Sequence, residues 1–279
     1  MAFRKGQYIL GKSLIISVPR LLLPFFVASL GLKGITGTYV VVFILGVLYN
    51  AIIIFRYLLV GKMLKPALTE IKKHKRYVTS NYFGAMFAAL PSTLVPIIIL
   101  SKLGASSAAY FYMPLQMAAF LGIISSSTAS ALISEASQAE DEDMHKLHFS
   151  NAFIHTYQLL IPAMILLCAI AWPVLWLYGK AYATHGILPL LVLISASLFV
   201  SINYLGDTWL NVKKQSRAYF LMNACNAITV VGFVYIFAPH GLVPASIGWL
   251  LGQFASGGIY LIIFARGQLF SLASRLKAS

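Results

Sequence analysis

The sequence predicts an all-α, polytopic integral membrane protein with about eight transmembrane helices and both termini in the cytoplasm. The first observation behind this is composition: of 279 residues, 59% are hydrophobic and only 10% charged, and the mean hydropathy is +0.83. A soluble domain carries about 25% charged residues, so this chain cannot cover a globular core with solvated surface. Disorder is excluded on the same ground, because it needs low hydrophobicity. The second observation is eight apolar stretches, each of roughly the 20 residues that a bilayer-crossing helix requires: 13–32, 37–60, 82–101, 108–134, 155–178, 186–206, 218–238 and 242–265. None alternates in polarity as a transmembrane strand does. The third is where the charge sits.

Eight spans place the two termini on one side, with loops 1–12, 61–81, 135–154, 207–217 and 266–279. These hold Arg4, Lys5, Lys12, Lys62, Lys65, Lys72, Lys73, Lys75, Arg76, Lys146, Lys213, Lys214, Arg217, Arg266, Arg275 and Lys277, sixteen of the 21 basic residues. The opposite loops hold Lys33, Lys102 and Lys180, and Arg20 and Arg56 fall within spans. The positive-inside rule then puts both termini in the cytoplasm. The net charge of +14 is a topology signal and calls for no nucleic-acid partner.

The elements follow in order. Residues 1–12 are basic and precede an apolar run, as in a signal peptide, but that run is too long for an h-region and lacks a small-x-small end, so it reads as a retained first span. Residues 1–60 hold two spans, and 61–81, GKMLKPALTEIKKHKRYVTSN, is a basic cytoplasmic linker that separates them from the six that follow. Its cations favour anionic headgroups at about 1 kcal/mol each near the surface. Residues 82–279 hold the remaining six spans and a cytoplasmic tail. Pro19, Pro24, Pro91, Pro96, Pro114, Pro162 and Pro173 lie inside spans, tolerated where neighbours or cavity water satisfy the freed carbonyls. Ser125-Ser126-Ser127-Thr128-Ala129-Ser130 offers a small-residue face for close helix approach. Cys168 and Cys225 read as apolar packing residues.

Candidate binding residues are the polar groups at membrane depth. A mid-span arginine costs about 2.5–3.5 kcal/mol to insert, while Leu, Ile, Val and Phe each return about 0.3–0.6. Twelve of these in 13–32 offset Arg20, which still calls for an anionic partner or a wet cavity. Arg56 lies near the cytoplasmic end of its span, where snorkelling is the default. Asn50, Gln116, Gln158, Asn203, Asn223, Asn226 and Gln253 can bond across helices or touch a sugar hydroxyl; Arg20, Arg56, Gln116, Asn203 and Asn223 are taken as substrate-binding candidates. Glu135 and Asp207 both read as cytoplasmic-end residues, so no carboxylate is expected deep in a span. A pump for cations would want one, and the sign therefore favours an anionic substrate. His145, His148 and His155 follow an acidic run, but the carboxylates precede them rather than interleave, and no metal site is expected. No GxSxG, HExxH, P-loop or GxGxxG occurs, so neither an enzyme nor a cofactor is predicted.

From about residue 81 onward the chain resembles a known group. Asn81-Tyr82-Phe83-Gly84 leads into a span containing Leu90-Pro91. Leu103-Gly104-Ala105-Ser106-Ser107-Ala108-Ala109-Tyr110-Phe111 follows, then a helix closing with Ala131-Leu132-Ile133-Ser134-Glu135-Ala136-Ser137, and later Trp172-Pro173-Val174-Leu175-Trp176-Leu177-Tyr178-Gly179-Lys180-Ala181-Tyr182-Ala183. The pattern resembles the O-antigen flippase type of polysaccharide exporter in the multidrug/oligosaccharidyl-lipid/polysaccharide (MOP) superfamily. The resemblance implies twelve or fourteen helices in two pseudo-symmetric lobes around a cationic cavity. It also implies movement of polyprenyl-diphosphate-linked oligosaccharide across the bacterial inner membrane by alternating access, for lipopolysaccharide or other polysaccharide biosynthesis. On that template 82–265 is the C-lobe, 13–60 ends the N-lobe, and about four N-terminal helices are lacking. Arg20 would then meet a diphosphate. The expected partners are the lipid-linked oligosaccharide, membrane lipids, and glycan-assembly proteins or a second membrane chain. The alternatives are a multidrug-type exporter of the same superfamily and a truncated, non-transporting membrane subunit.

Overall fold

The computed structural model describes residues 31–53, 68–136 and 142–278, together with positions 15, 16, 19, 23, 27 and 55. Among the described residues every regular element is helical. The chain divides into two compact units, Met1–Lys72 and Lys73–Ser279. Arg20 and Arg56 lie outside the described residues, as does most of the first predicted span.

In the smaller unit, α1 spans Gly31–Ile53. It is apolar almost all round, as a helix facing lipid must be. Its buried positions are Thr38 and Val42, with Gly46 next along the same stripe. A side chain at Gly46 would come within 3.0 Å of Ile16 Cδ1, so a glycine there lets the neighbouring segment approach. Asn50, one of the predicted membrane-depth polar groups, donates from Nδ2 to its own helix at Gly46 O, 3.0 Å away.

The helix leading into the larger unit begins earlier than the sequence suggests. Residues 61–81 read as a polar linker, yet helix is continuous from Leu68. Polar residues on an exposed helical turn cannot be told from loop by hydropathy alone. The continuous stretch Leu68–Ala136 breaks at Gly104 (φ 84°, ψ 175°), giving α2 (68–103) and α3 (105–136). Pro91, Pro96 and Pro114 sit inside these helices, but the backbone leaves helical geometry only at Gly104, where φ favours glycine. The apolar stretch Tyr77–Ile133 is 57 residues long, about 85 Å if straight. The break turns it into two segments that each match a bilayer of about 30 Å.

Four helices follow: α4 (Glu142–Leu177), α5 (Lys180–Val212), α6 (Ser216–Phe237) and, after a 3₁₀ turn at Ala238–His240, α7 (Leu242–Ala278). Gly179 (φ 127°) turns the chain between α4 and α5, its N–H donating to Trp176 O at 2.9 Å. This is the Leu-Tyr-Gly turn singled out in the sequence. Five of the described helical segments are long and apolar enough to cross a membrane, as a polytopic membrane protein requires.

α5 is the central helix. It packs on α4 and α7, and its Ser201 Oγ meets Ser125 Oγ of α3 at 2.6 Å with both side chains buried. The serine-rich face of α3 therefore serves packing at this point, while Ser126 and Ser130 bond back to carbonyls of their own helix. The α6–α7 contact depends on small residues. A Cβ at Gly248 would come within 2.9 Å of the Phe233 backbone, and one at Gly252 would overlap the backbone of Val230. Without a hydrophobic force between helices in lipid, such close backbone approach is a main source of association. Substituting Gly252 with leucine is expected to cost about 1–3 kcal/mol through overpacking and to lower the thermal midpoint in detergent. Gly258→Ala, with open space beside it, is expected to leave that midpoint within experimental error.

Candidate functional site

Within the larger unit, α2, α3, α5, α6 and α7 surround a cavity of about 390 Å³. Its walls are mixed. Pro91, Leu115, Leu193 and Trp249 supply apolar surface, and Gln116, Asn203, Tyr204, Asp207, Asn223, Asn226 and Gln253 supply polar groups. Three of the five predicted binding residues, Gln116, Asn203 and Asn223, are thus brought to one cavity. Arg20 and Arg56 lie outside the described residues.

The polar groups fall into a locked set and an open set. Asn203 on α5 donates through Nδ2 to Gln253 Oε1 (2.7 Å) and to Ser256 Oγ (2.9 Å) on α7, and Ser256 in turn donates to Asn226 Oδ1 on α6 at 2.9 Å. This buried chain ties three helices together. Asn203 Oδ1 is buried with no partner, which leaves one acceptor unsatisfied in an otherwise paired network. Gln116 is exposed to the cavity and has no hydrogen-bond partner among the described residues. Tyr204 is 43% exposed.

The chemically distinct group is Asp207. Its span reads from sequence as ending near 206, which would leave Asp207 at a cytoplasmic end. The helix instead runs on to Val212, and Asp207 turns into the bundle. Tyr260 O–H of α7 donates to Asp207 Oδ1 at 2.5 Å, and Asn223 Nδ2 of α6 donates to the same oxygen at 2.8 Å. Asn223 also donates to Tyr219 O at 3.0 Å, so it orients the carboxylate rather than standing free for a sugar. Oδ2 is neither buried without a partner nor bonded among the described residues, and Asp207 lines the cavity. Oδ1 is clamped by two donors, and Oδ2 receives none among the described residues. From sequence Asp207 reads as a residue at the end of its span; it lies five residues before the helix ends at Val212 and turns inward to Tyr260 and Asn223. No Lys, Arg or His occurs among the described lining residues, and Asp207 is the one acidic side chain among them.

Local packing explains the clamp. Gly206 lies directly beneath the Tyr260 ring, where any Cβ would overlap it. This lets the ring lie flat on α5 with its hydroxyl one residue along, at Asp207. Phe264 stacks on Tyr260 at 6.0 Å between centroids. From sequence Asp207 reads as a span end, and nothing there singles out Tyr260. The available signal was Asn203-Tyr204-Leu205-Gly206-Asp207, in which Asn203 and Asp207 share one helix face at i, i+4 spacing.

No family model matches the chain, and no curated protein matches it. Solved structures do. A crystal structure of MATE in complex with MaL6 aligns with a TM-score of 0.74 at 14% identity, covering 95% of this chain and 63% of that one. An outward-facing multidrug resistance MATE family transporter of the MOP superfamily aligns with a TM-score of 0.72 at 14% identity, with the same coverage. A MOP superfamily transporter from Pyrococcus furiosus, reported for the reverse polarity of its binding pocket, aligns with a TM-score of 0.70 at 15% identity over 95% of this chain and 63% of its own.

Locked and open residues are expected to respond differently to substitution. Asn203→Leu strands the partners on α7 and is expected to destabilise the protein by about 1–3 kcal/mol, read as a lowered thermal midpoint. Gln116→Leu removes no bond and is expected to stay within about 0.5 kcal/mol of wild type. At these identities the likeness is one of fold: the chain has the helical fold of MOP superfamily transporters and spans about 63% of the length of the solved chains it matches.

Proposed function

We propose that the protein is a membrane transporter that exports organic cations, with Asp207 as the acceptor of the positive charge. The observation that carries this reading is the open Oδ2 of Asp207 in a cavity whose described walls hold no cation. An ionisable residue within a membrane bundle marks a substrate or ion pathway by default. Here the neighbouring apolar and aromatic surface of Trp249, Leu115 and Tyr204 suits a cation with a bulky hydrophobic body. Mixed apolar lining with a few placed polar groups is the usual character of a small-molecule site. The fold likeness to a multidrug resistance transporter supports the same class. Transport needs no bond chemistry. It needs a path that opens alternately to either side, and substrate sites of such transporters lie in cavities among membrane helices. The membrane is proposed to be the bacterial cytoplasmic membrane with both termini inside, on the sixteen-to-three distribution of basic residues.

Flipping of a lipid-linked, diphosphate-bearing oligosaccharide is the second reading. Its support is the sequence resemblance from residue 81 onward and Arg20. A diphosphate brought to Asp207 would meet like charge, which is why the cation reading stands first.

Cells producing the full-length protein are expected to extrude ethidium, and Asp207→Asn is expected to lower the initial rate at least tenfold with the protein level unchanged. Asp207→Glu is expected to keep part of the activity. Ethidium extrusion equal in wild type and Asp207→Asn, together with loss of surface glycan in Arg20→Ala, would favour the flippase instead.

A further inference from the structure

Cation binding at Asp207 leaves unused two amide groups of the same cavity, Gln253 on α7 and Asn226 on α6. Both belong to the hydrogen-bond chain that starts at Asn203, and that chain has a direction. Asn203 Nδ2 donates to Gln253 Oε1 and to Ser256 Oγ, and Ser256 passes its own proton on to Asn226 Oδ1. Each amide at the end of the chain therefore spends its oxygen on the fold and keeps its NH₂ group, which offers two donors. Neither Gln253 Nε2 nor Asn226 Nδ2 has a hydrogen-bond partner among the described residues, and neither atom is fully buried. Gln253 as a whole is only 4% exposed, so the space beside its nitrogen is the cavity that it lines. The position of these donors relative to the carboxylate follows from two helices. Asn203, which holds Gln253, lies four residues before Asp207, about 6 Å along α5. Asn226 lies three residues after Asn223, which clamps Asp207, about 4.5 Å along α6. Both displacements run away from the turn that joins α5 to α6, so the amides lie on one side of the carboxylate.

We propose that Gln253 and Asn226 form an acceptor subsite, and that the cavity takes organic cations carrying a carbonyl oxygen about 6 Å from the charged nitrogen. The carbonyl meets the amide N–H groups while the cation meets Asp207. This inference rests on the cation reading and adds the second half of the substrate to it. A site that commits buried donors to a carbonyl rejects the same molecule without it, because those donors are then left unpaired. The test compares two tertiary amines, both protonated at neutral pH. One is ω-dimethylaminovalerophenone, whose ketone is separated from the nitrogen by a butylene chain. The other is dimethyl(phenylpentyl)amine, in which a methylene replaces the ketone. Binding to the full-length protein in neutral detergent is measured by isothermal titration calorimetry. Wild type is expected to bind the ketone about tenfold more tightly. Asn226→Asp and Gln253→Glu, made singly, each keep an oxygen for the chain and lose the amide hydrogens, and each is expected to bring that ratio below about threefold. Both amines carry the same charge, so the ratio cancels the effect of the added carboxyl group. Asp207→Asn is expected to weaken both amines alike. Equal binding of the two amines by wild type, or a preference that survives in both amide variants, would overturn the acceptor subsite while Asp207→Asn still reports on the cation reading. Failure of wild type to bind either amine, or binding that Asp207→Asn leaves unchanged, would overturn the cation reading and this inference with it.

Discussion

A carboxylate inside a helix bundle must replace the water it gives up, since burying a charge without compensation costs far more than one protein contact returns. Asp207 meets this requirement with two donors from two other helices, Tyr260 on α7 and Asn223 on α6. Much of the surrounding architecture can be traced to bringing those donors to one oxygen. Gly206 allows the Tyr260 ring to lie on α5, and Gly252 allows α7 to approach the Val230 backbone of α6. The chain from Asn203 through Ser256 to Asn226 fixes the rotation of α5, α6 and α7 one turn away. Buried, satisfied polar networks of this kind specify a single arrangement where apolar contacts alone would permit several.

The consequence is an asymmetric carboxylate. Its clamped oxygen belongs to the fold, and the other receives no donor among the described residues. The same division holds for the amides: Asn203 and Asn223 are committed to neighbours, while Gln116 is free among the described residues. Function is therefore proposed to rest on few groups. A cation held at Asp207 would need to be released when the helices rearrange, and one charge-assisted contact with apolar surroundings is better suited to release than a fully coordinating cage.

The fold class was legible because it depends on composition and on run length, both of which survive without any knowledge of packing. The spans of α3, α6 and α7 fall close to where hydropathy places them, since each is bounded by charged residues, prolines or glycines. The start of α2 was not legible: Leu68 to Ser80 is polar, and a solvated helical turn has no hydropathy signature. The site was half legible. Gln116, Asn203 and Asn223 stand out because an amide in an apolar run is conspicuous. Asp207 was hidden by its position five residues before Val212, where a charged residue reads as the end of a span. Only helix continuation and the rotation that turns it toward Tyr260 reveal that it faces inward. The O-antigen flippase resemblance and the multidrug likeness share one fold and differ in the charge they expect in the cavity, so the two proposed readings divide at Asp207.

Reactivity of the Asp207 carboxyl tests the central claim most directly. The full-length protein is treated with a hydrophobic carbodiimide with and without ethidium, and modification of the peptide carrying Asp207 is quantified by mass spectrometry. A cation seated on the open oxygen would protect Asp207 in proportion to ethidium concentration while labelling elsewhere continues. Labelling of Asp207 at the same rate at every ethidium concentration would contradict cation binding at this carboxylate.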